Sequence, residues 1–196
     1  VRRLRDVAGE TGTTASVVHN RMFEPPIREA RRRVAAGEIG DLVSVELVYA
    51  RDTDLDHSQR GTWELEMVGS GIGEGLPHQI YLPLSFVDRL GEVSCVTHRL
   101  RNDYENAEFD GIAIEFVDDT GDVLLTSKRL ANTTTDDVLT LRGTEGVLTV
   151  DLVKRGVFER VLHGGLSTGA FVDTHRSEFE QLLRNLFDNG LGFAKR

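Results

Sequence analysis

Between Val93 and Leu162 the chain breaks into short runs of alternating apolar residues, each closed by a turn signal. The runs are Val93 to Leu100, Gly111 to Val117, Asp122 to Arg129, Val138 to Arg142, Val147 to Asp151 and Val157 to Leu162. Asp118-Asp119-Thr120-Gly121 and Gly143-Thr144-Glu145-Gly146 are the clearest turns among them. Connections this short join antiparallel neighbours, because a parallel crossover needs a dozen or more residues. A further period-two segment lies upstream, where Val43, Val45, Leu47 and Tyr49 alternate with more polar residues. The expected architecture is α+β: an open, mostly antiparallel sheet with helices packed on one face. Apolar residues on the outer face of such a sheet would seek a partner, so a homo-oligomer through the open face is expected.

Helical signals frame this sheet. Val1, Leu4, Val7 and Ala8 share one face of a helix that Gly12 stops. Thr13 to Val18 is rich in β-branched residues and reads as a short buried strand. Helix, glycine and strand make half of an α/β repeat, which cannot bury both faces by itself. Pro25-Pro26 opens a second helix that runs through Val34 and Ala35 to Gly37 or Gly40. Arg31-Arg32-Arg33 on that helix is expected to be a solvated face flanked by Glu29, Glu38 and Asp41. Glu74 to Leu90 follows a polar loop and the run Gly69-Ser70-Gly71; Pro77 suits only a first helical turn, and Pro83 is expected to kink a helix. A last helix is expected from about Thr174 to Phe187.

At 196 residues the chain holds one large domain, or one domain and a fragment. A formal net charge of −9 argues against a nucleic-acid backbone or an anionic membrane surface as partner. No stretch is long and apolar enough to span a bilayer. Cys95 is the single cysteine, which excludes an intrachain disulfide and fits a reducing, cytoplasmic setting. Its run, Val93-Ser94-Cys95-Val96, predicts a buried, inert thiol. The histidines His57, His98, His163 and His175 have no partners at metal-ligand spacing, and no metal site is expected. The chain opens at Val1 inside a helical segment, and it reads as a piece of a longer polypeptide.

Glu74 and His78 are the candidate catalytic pair. They stand four residues apart, on one face of a helix if they share one. A carboxylate at that spacing can orient an imidazole, whose titration near neutral pH suits proton transfer. Gly71 ahead of them lets the backbone pass close to a ligand. Trp63 is placed either as a pocket wall or as a residue buried under its loop.

The order of motifs resembles the Gfo/Idh/MocA family of nicotinamide-dependent oxidoreductases. His19-Asn20-Arg21-Met22-Phe23 with Pro25 resembles its His-Asn-Arg-x-Phe-x-Pro junction. Gly37-Glu38-Ile39-Gly40 resembles its Gly-x-Ile-Gly turn, and Gly69-Ser70-Gly71 stands where a triple glycine is usual. Glu74 to His78 stands where the family has Asp-x-Gly-x-His, and Gly143 to Gly146 resembles its late Gly-Thr-x-Gly turn. The resemblance implies a C-terminal substrate and oligomerisation domain from residue 21 to 196, truncated at its end. Residues 1 to 20 would be the remnant of a Rossmann domain. It implies His78 as general acid/base for a substrate hydroxyl, with Glu74 in place of the usual aspartate. Asn20 would lie near the nicotinamide, and His19 and Arg21 would touch cofactor or substrate or serve the hinge. The glycine fingerprint of a dinucleotide site and the family's Glu-Lys-Pro motif are absent. NAD or NADP is therefore expected in a full-length parent, with neither held by this chain alone. Two functions remain open: a catalytic domain acting on a sugar-like or polyol hydroxyl or carbonyl, and a non-catalytic ligand-binding or oligomerisation domain of the same fold.

Overall fold

The computed structural model describes residues 2–52, 61–63, 70–99, 109–131, 133–161, 179–180 and 183. Helix α1 (Arg2–Thr11) ends where Gly12 takes the left-handed φ of 66°. A 3-10 turn (Asn20–Phe23) leads into α2 (Pro25–Ala35), which begins on two prolines at positions where a missing N–H costs nothing. Strand β1 (Leu42–Arg51) is followed by α3 (Ser70–Leu84). Then come β2 (Leu90–His98), β3 (Gly111–Asp118), β4 (Leu124–Ala131), β5 (Asp136–Gly143), β6 (Gly146–Asp151) and β7 (Gly156–Val161). The expected final helix lies almost wholly outside the described residues, although Phe179, Glu180 and Leu183 are helical.

The strands form a seven-stranded sheet in the order β2-β3-β4-β1-β5-β6-β7. Every pairing is antiparallel except that of β1 with β4. The expected α+β architecture is therefore the one observed. Helix α3 lies against β4 and β1, and α2 lies against β6 and β7. The covered face is a set of apolar rungs that cross the sheet. Phe116, Leu125, Val45, Leu141 and Leu148 stand opposite one another in register, as do Ile114, Ser127, Leu47, Leu139 and Val150. Most are fully buried. Buried Ile27 and Ala30 come from α2, and Ile72, Tyr81 and Leu82 from α3.

Two motifs far apart in sequence meet at the sheet's end. The Gly143–Gly146 turn binds the Ile39–Asp41 turn: Thr144 N–H donates to Asp41 O at 2.9 Å, and Glu145 N–H to Ile39 O at 2.9 Å. A Cβ at Gly143 would overlap the Ile39 carbonyl, so this contact requires glycine.

Several expectations are corrected. Thr13 to Val18 is not a buried strand; it pairs with no described strand, and Val17 and Val18 are 82% and 74% exposed. The β-branched composition supplies propensity, but a strand needs a neighbour to bond. Cys95 is exposed, not buried. It points to the same side as Ile114, its partner on β3, but β2 is the sheet's edge and α3 packs two strands away. Pro77 lies in the interior of α3, beyond its first turn, and Pro83 stands one residue before its end at Leu84. Burial of Ile72, Tyr81, Leu82 and Pro83 against the sheet outweighs the lost backbone hydrogen bonds. Arg33 is mostly buried and bridges Glu38 at 2.7 Å and Glu159 at 2.6 Å, while Arg32 remains on the solvated face. The middle of the outer sheet face is polar: Glu46 pairs with Arg142 at 3.2 Å and approaches Lys128 at 3.6 Å.

Candidate functional site

The covered face of the sheet changes character at one rung. Beyond the rung of Leu47 comes Tyr49, with Arg129 opposite it on β4 and Asp137 opposite it on β5. Directly opposed residues point to the same side, so one aromatic, one cation and one carboxylate stand in a row where the apolar core stops. A cavity of about 760 Å³ opens there. Asn20, Arg21 and Glu24 line it from the 3-10 turn, Glu74 and His78 from α3, and Arg51 and Arg155 from the sheet's end.

Glu74 and His78 do share α3, as their spacing predicted. The ring's partner differs from the one expected. His78 Nδ1 meets the Tyr81 hydroxyl at 2.5 Å, one turn further along the helix. That hydroxyl accepts from the Arg21 backbone N–H at 3.3 Å and can donate to Asn20 Oδ1 at 3.3 Å. Asn20 Oδ1 also accepts from Arg21 N–H at 2.9 Å. The phenol carries one proton, so it either donates to Asn20 Oδ1 and accepts from His78 Nδ1, or donates to His78 Nδ1. In the first arrangement neutral His78 carries its proton on Nδ1 and keeps a lone pair on Nε2, the form a general base requires. Glu74 acts on His78 through charge. Burial lowers the His78 pKa below its ordinary value, the Arg21 charge lowers it further, Glu74 opposes them, and Arg129 adds to the lowering.

His19 stacks on Tyr81, with ring centroids 4.3 Å apart and planes within 6°. The junction residues thus converge on one phenol, which sequence reasoning missed because Tyr81 sits in an apolar run. Its place three residues after His78 was the available signal. Arg21 spans the turn and the sheet: Nε binds Glu24 at 3.2 Å and Nη2 binds Asp137 at 2.5 Å. Asp137 Oδ1 is buried without a hydrogen-bond partner. Burial pushes the Asp137 carboxyl up to about 6, with Arg21 opposing the shift. Arg129 is 5% exposed, and its guanidinium lies over the Tyr49 ring at 4.6 Å. A Cβ at Gly75 would overlap that guanidinium, so the glycine beside Glu74 admits the arginine.

Not every expected site residue comes to the cavity. Trp63 is 46% exposed and is not among the described residues that line it. Gly71 belongs to the first turn of α3, and Gly69 lies outside the described residues. Among the described residues no group of histidine, cysteine, aspartate and glutamate is arranged to hold a metal ion, and no helix is long and apolar enough to cross a membrane. Asp54, Asp56 and His57 lie outside the described residues.

The family model for the GFO/IDH/MocA C-terminal domain matches residues 27–149, more than half of the chain. The chain belongs to this family. No curated protein matches this GFO/IDH/MocA C-terminal domain in sequence. Among solved structures it is similar to levoglucosan dehydrogenase in complex with NADH and levoglucosan, at 16% identity and a TM-score of 0.62, covering 79% of this chain and 45% of that one. An NAD binding oxidoreductase from Klebsiella pneumoniae is 17% identical with a TM-score of 0.65, covering 84% and 47%. The WlbA dehydrogenase from Bordetella pertussis, in complex with NADH and UDP-GlcNAcA, is 17% identical with a TM-score of 0.60, covering 76% and 46%. At these identities the likeness is one of fold. The GFO/IDH/MocA domain described here spans about half the length of these structures.

Proposed function

We propose that this chain is the substrate-binding and catalytic part of a nicotinamide-dependent oxidoreductase that acts on a hydroxyl or carbonyl of a sugar-like or polyol molecule. The observation that carries this reading is the His78 ring at the cavity wall with its Nδ1 bonded to the Tyr81 hydroxyl; the proposal takes Nε2 as the base. Residues 1–20 are read as the tail of a cofactor domain, which accords with the absence of any buried residue in α1. The fold relatives captured with NADH, levoglucosan or UDP-GlcNAcA support the same class of chemistry.

The residues present fit one end of a nicotinamide dinucleotide. The Asn20 amide and the stacked rings of His19 and Tyr81 offer a polar edge and a flat surface beside the cavity, suited to a nicotinamide ring. They do not fit the pyrophosphate. Helix α2 begins on Pro25 and Pro26, which have no N–H to offer an anion. A bound nicotinamide supplies the hydride acceptor or donor. The chain's own work is with the proton. His78 Nε2 takes it from the substrate hydroxyl, Tyr81 keeps the ring oriented, and burial with Arg21 keeps the ring neutral and able to accept.

His78→Ala in the complete protein should lower turnover by about 10²–10⁴-fold on a responsive sugar or polyol, with little effect on cofactor affinity. Unchanged turnover in that variant would replace the catalytic reading with a ligand-binding or oligomerisation role.

A further inference from the structure

Next to His78 on α3 stands Gln79, a polar side chain in an apolar place. Gln79 is 1% exposed, and so is Ser127 on β4. The Ser127 hydroxyl donates to Gln79 Oε1 at 2.8 Å. The bond lies inside the covered face, on the rung that Ile114, Leu47, Leu139 and Val150 otherwise fill with apolar side chains. Gln79 Nε2 is buried with no hydrogen-bond partner. A leucine or methionine there would carry no such cost, so packing alone does not account for an amide at this depth.

What the pair does follows from its register. Ile72, Gly75, Gln79 and Leu82 recur at helical spacing and are all buried. Gly75 lies against Arg129 of β4, and Gln79 against Ser127 of the same strand. Four helical residues rise about 6 Å. Two strand residues rise about 6.7 Å, so these contacts match one length of α3 to one length of β4. Apolar contacts such as those of Ile72 and Leu82 are not directional and tolerate rolling and sliding of a helix. A hydrogen bond between two buried groups does not, because breaking it leaves both unpaired in a low-dielectric interior. The backbone here supplies less restraint than an ordinary helix. Pro77 cannot donate to the Gly73 carbonyl, nor Pro83 to the Gln79 carbonyl, so the helical ladder is interrupted on either side of His78. Successive residues are turned by about 100° around a helix. Pinning Gln79 to the sheet therefore sets where the neighbouring His78 ring stands, which is at the cavity wall.

We propose that Gln79 is a positioning residue: through Ser127 it fixes the roll and the axial position of α3, and with them the direction of the His78 ring. This rests on the reading of His78 as the base, and it adds to that reading a residue that does not itself line the cavity.

The test is NMR relaxation of the histidine rings in the full chain, isotopically labelled at histidine. The parent, Ser127→Ala, Gln79→Met and the double variant are compared, with melting temperature measured on the same samples. The His78 ring should have an order parameter near the rigid value of about 0.85 in the parent and fall toward about 0.6 in all the variants. The ring of His98, on β2, should not change. Stability should move differently. Ser127→Ala leaves the whole Gln79 amide unpaired and should melt below the parent. The double variant removes both polar partners and should melt above Ser127→Ala. A ring that stays loose while the melting temperature recovers is the signature of positioning. A His78 ring equally ordered in parent and variants would overturn the inference. So would ring order that recovers with stability in the double variant, or a loss of order shared by His98, because either makes the pair a packing element only. None of these outcomes depends on turnover: His78→Ala decides the catalytic reading, and the order of the ring decides this one.

Discussion

The Nδ1 atom of His78 lies 2.5 Å from the Tyr81 hydroxyl, one helical turn further along α3. Because both residues project from the same helix, the bond is set by helix geometry and survives any rearrangement that leaves α3 whole. The phenol then hands the orientation on to Asn20, on the turn that joins the first helices to the sheet domain.

Tyr81→Phe keeps the ring and its stack on His19 but removes this bond. Turnover on the true substrate should fall roughly fivefold, in line with about 1 kcal/mol for one hydrogen bond. Stability should fall by about 0.5–1.5 kcal/mol. The decisive readout is the pH profile of turnover, because a freed ring no longer has a fixed tautomer. If the variant matched the parent in both rate and profile, Tyr81 would be a packing residue only.

The pKa of His78 is lowered by burial first, then by Arg21 and Arg129 against the pull of Glu74. Turnover in the oxidative direction should therefore rise with pH through an inflection below the ordinary histidine value and be flat at neutral pH. The stability consequence has a definite sign. The unfolded chain binds this proton at a higher pH than the folded one, so the contribution is complete above the unfolded value and is lost as pH falls through the folded value. NMR titration of the ring measures the shift directly. A value at or above that of a free histidine would rule out this picture.

Asp137 behaves in the opposite sense. Its folded pKa of about 6 exceeds the ordinary 3.8 because burial, with Oδ1 left unbonded, outweighs the Arg21 pairing. The folded state holds the proton more tightly, so this group's stabilisation is full below the unfolded value. It declines as pH rises through about 6. The contribution is on the order of 2–3 kcal/mol. Melting temperatures of the parent and of Asp137→Asn, measured across this window, should converge at acid pH and diverge as pH rises, with the parent losing ground. Parallel curves would mean that Asp137 ionises as an ordinary surface carboxylate does.

Self-association across the open sheet face is the expectation for this architecture. The outer face is polar at its centre, around Glu46, but Leu124 and Val96 remain 47% and 68% exposed on it. Sedimentation at micromolar concentration should show a dimer or larger species, and Leu124→Lys with Val96→Lys should return it to a monomer. A parent that is strictly monomeric would end the proposal.

Much of the sheet was legible in the chain itself. Period-two runs and the turns at Asp118 and Gly143 give β3, β4, β5 and β6 to within two residues at each end, because strand alternation and turn chemistry are local properties. The Glu74–His78 spacing likewise reads as one helix face without any tertiary information. Strand order is not local. Only the fold sets β1 between β4 and β5, and only that order brings Arg129, Tyr49 and Asp137 into one rung from segments some eighty residues apart. The same holds for burial. Cys95 and Thr13 to Val18 have strand-like compositions, yet they are exposed: among the described residues no helix lies against β2 and no strand pairs with the 13–18 segment. Sequence determined which segments can be helix or strand and where the titratable pair sits. Tertiary structure decided which phenol orients the histidine and which cations surround it, because those partners are chosen by packing across the sheet and not by spacing along the chain.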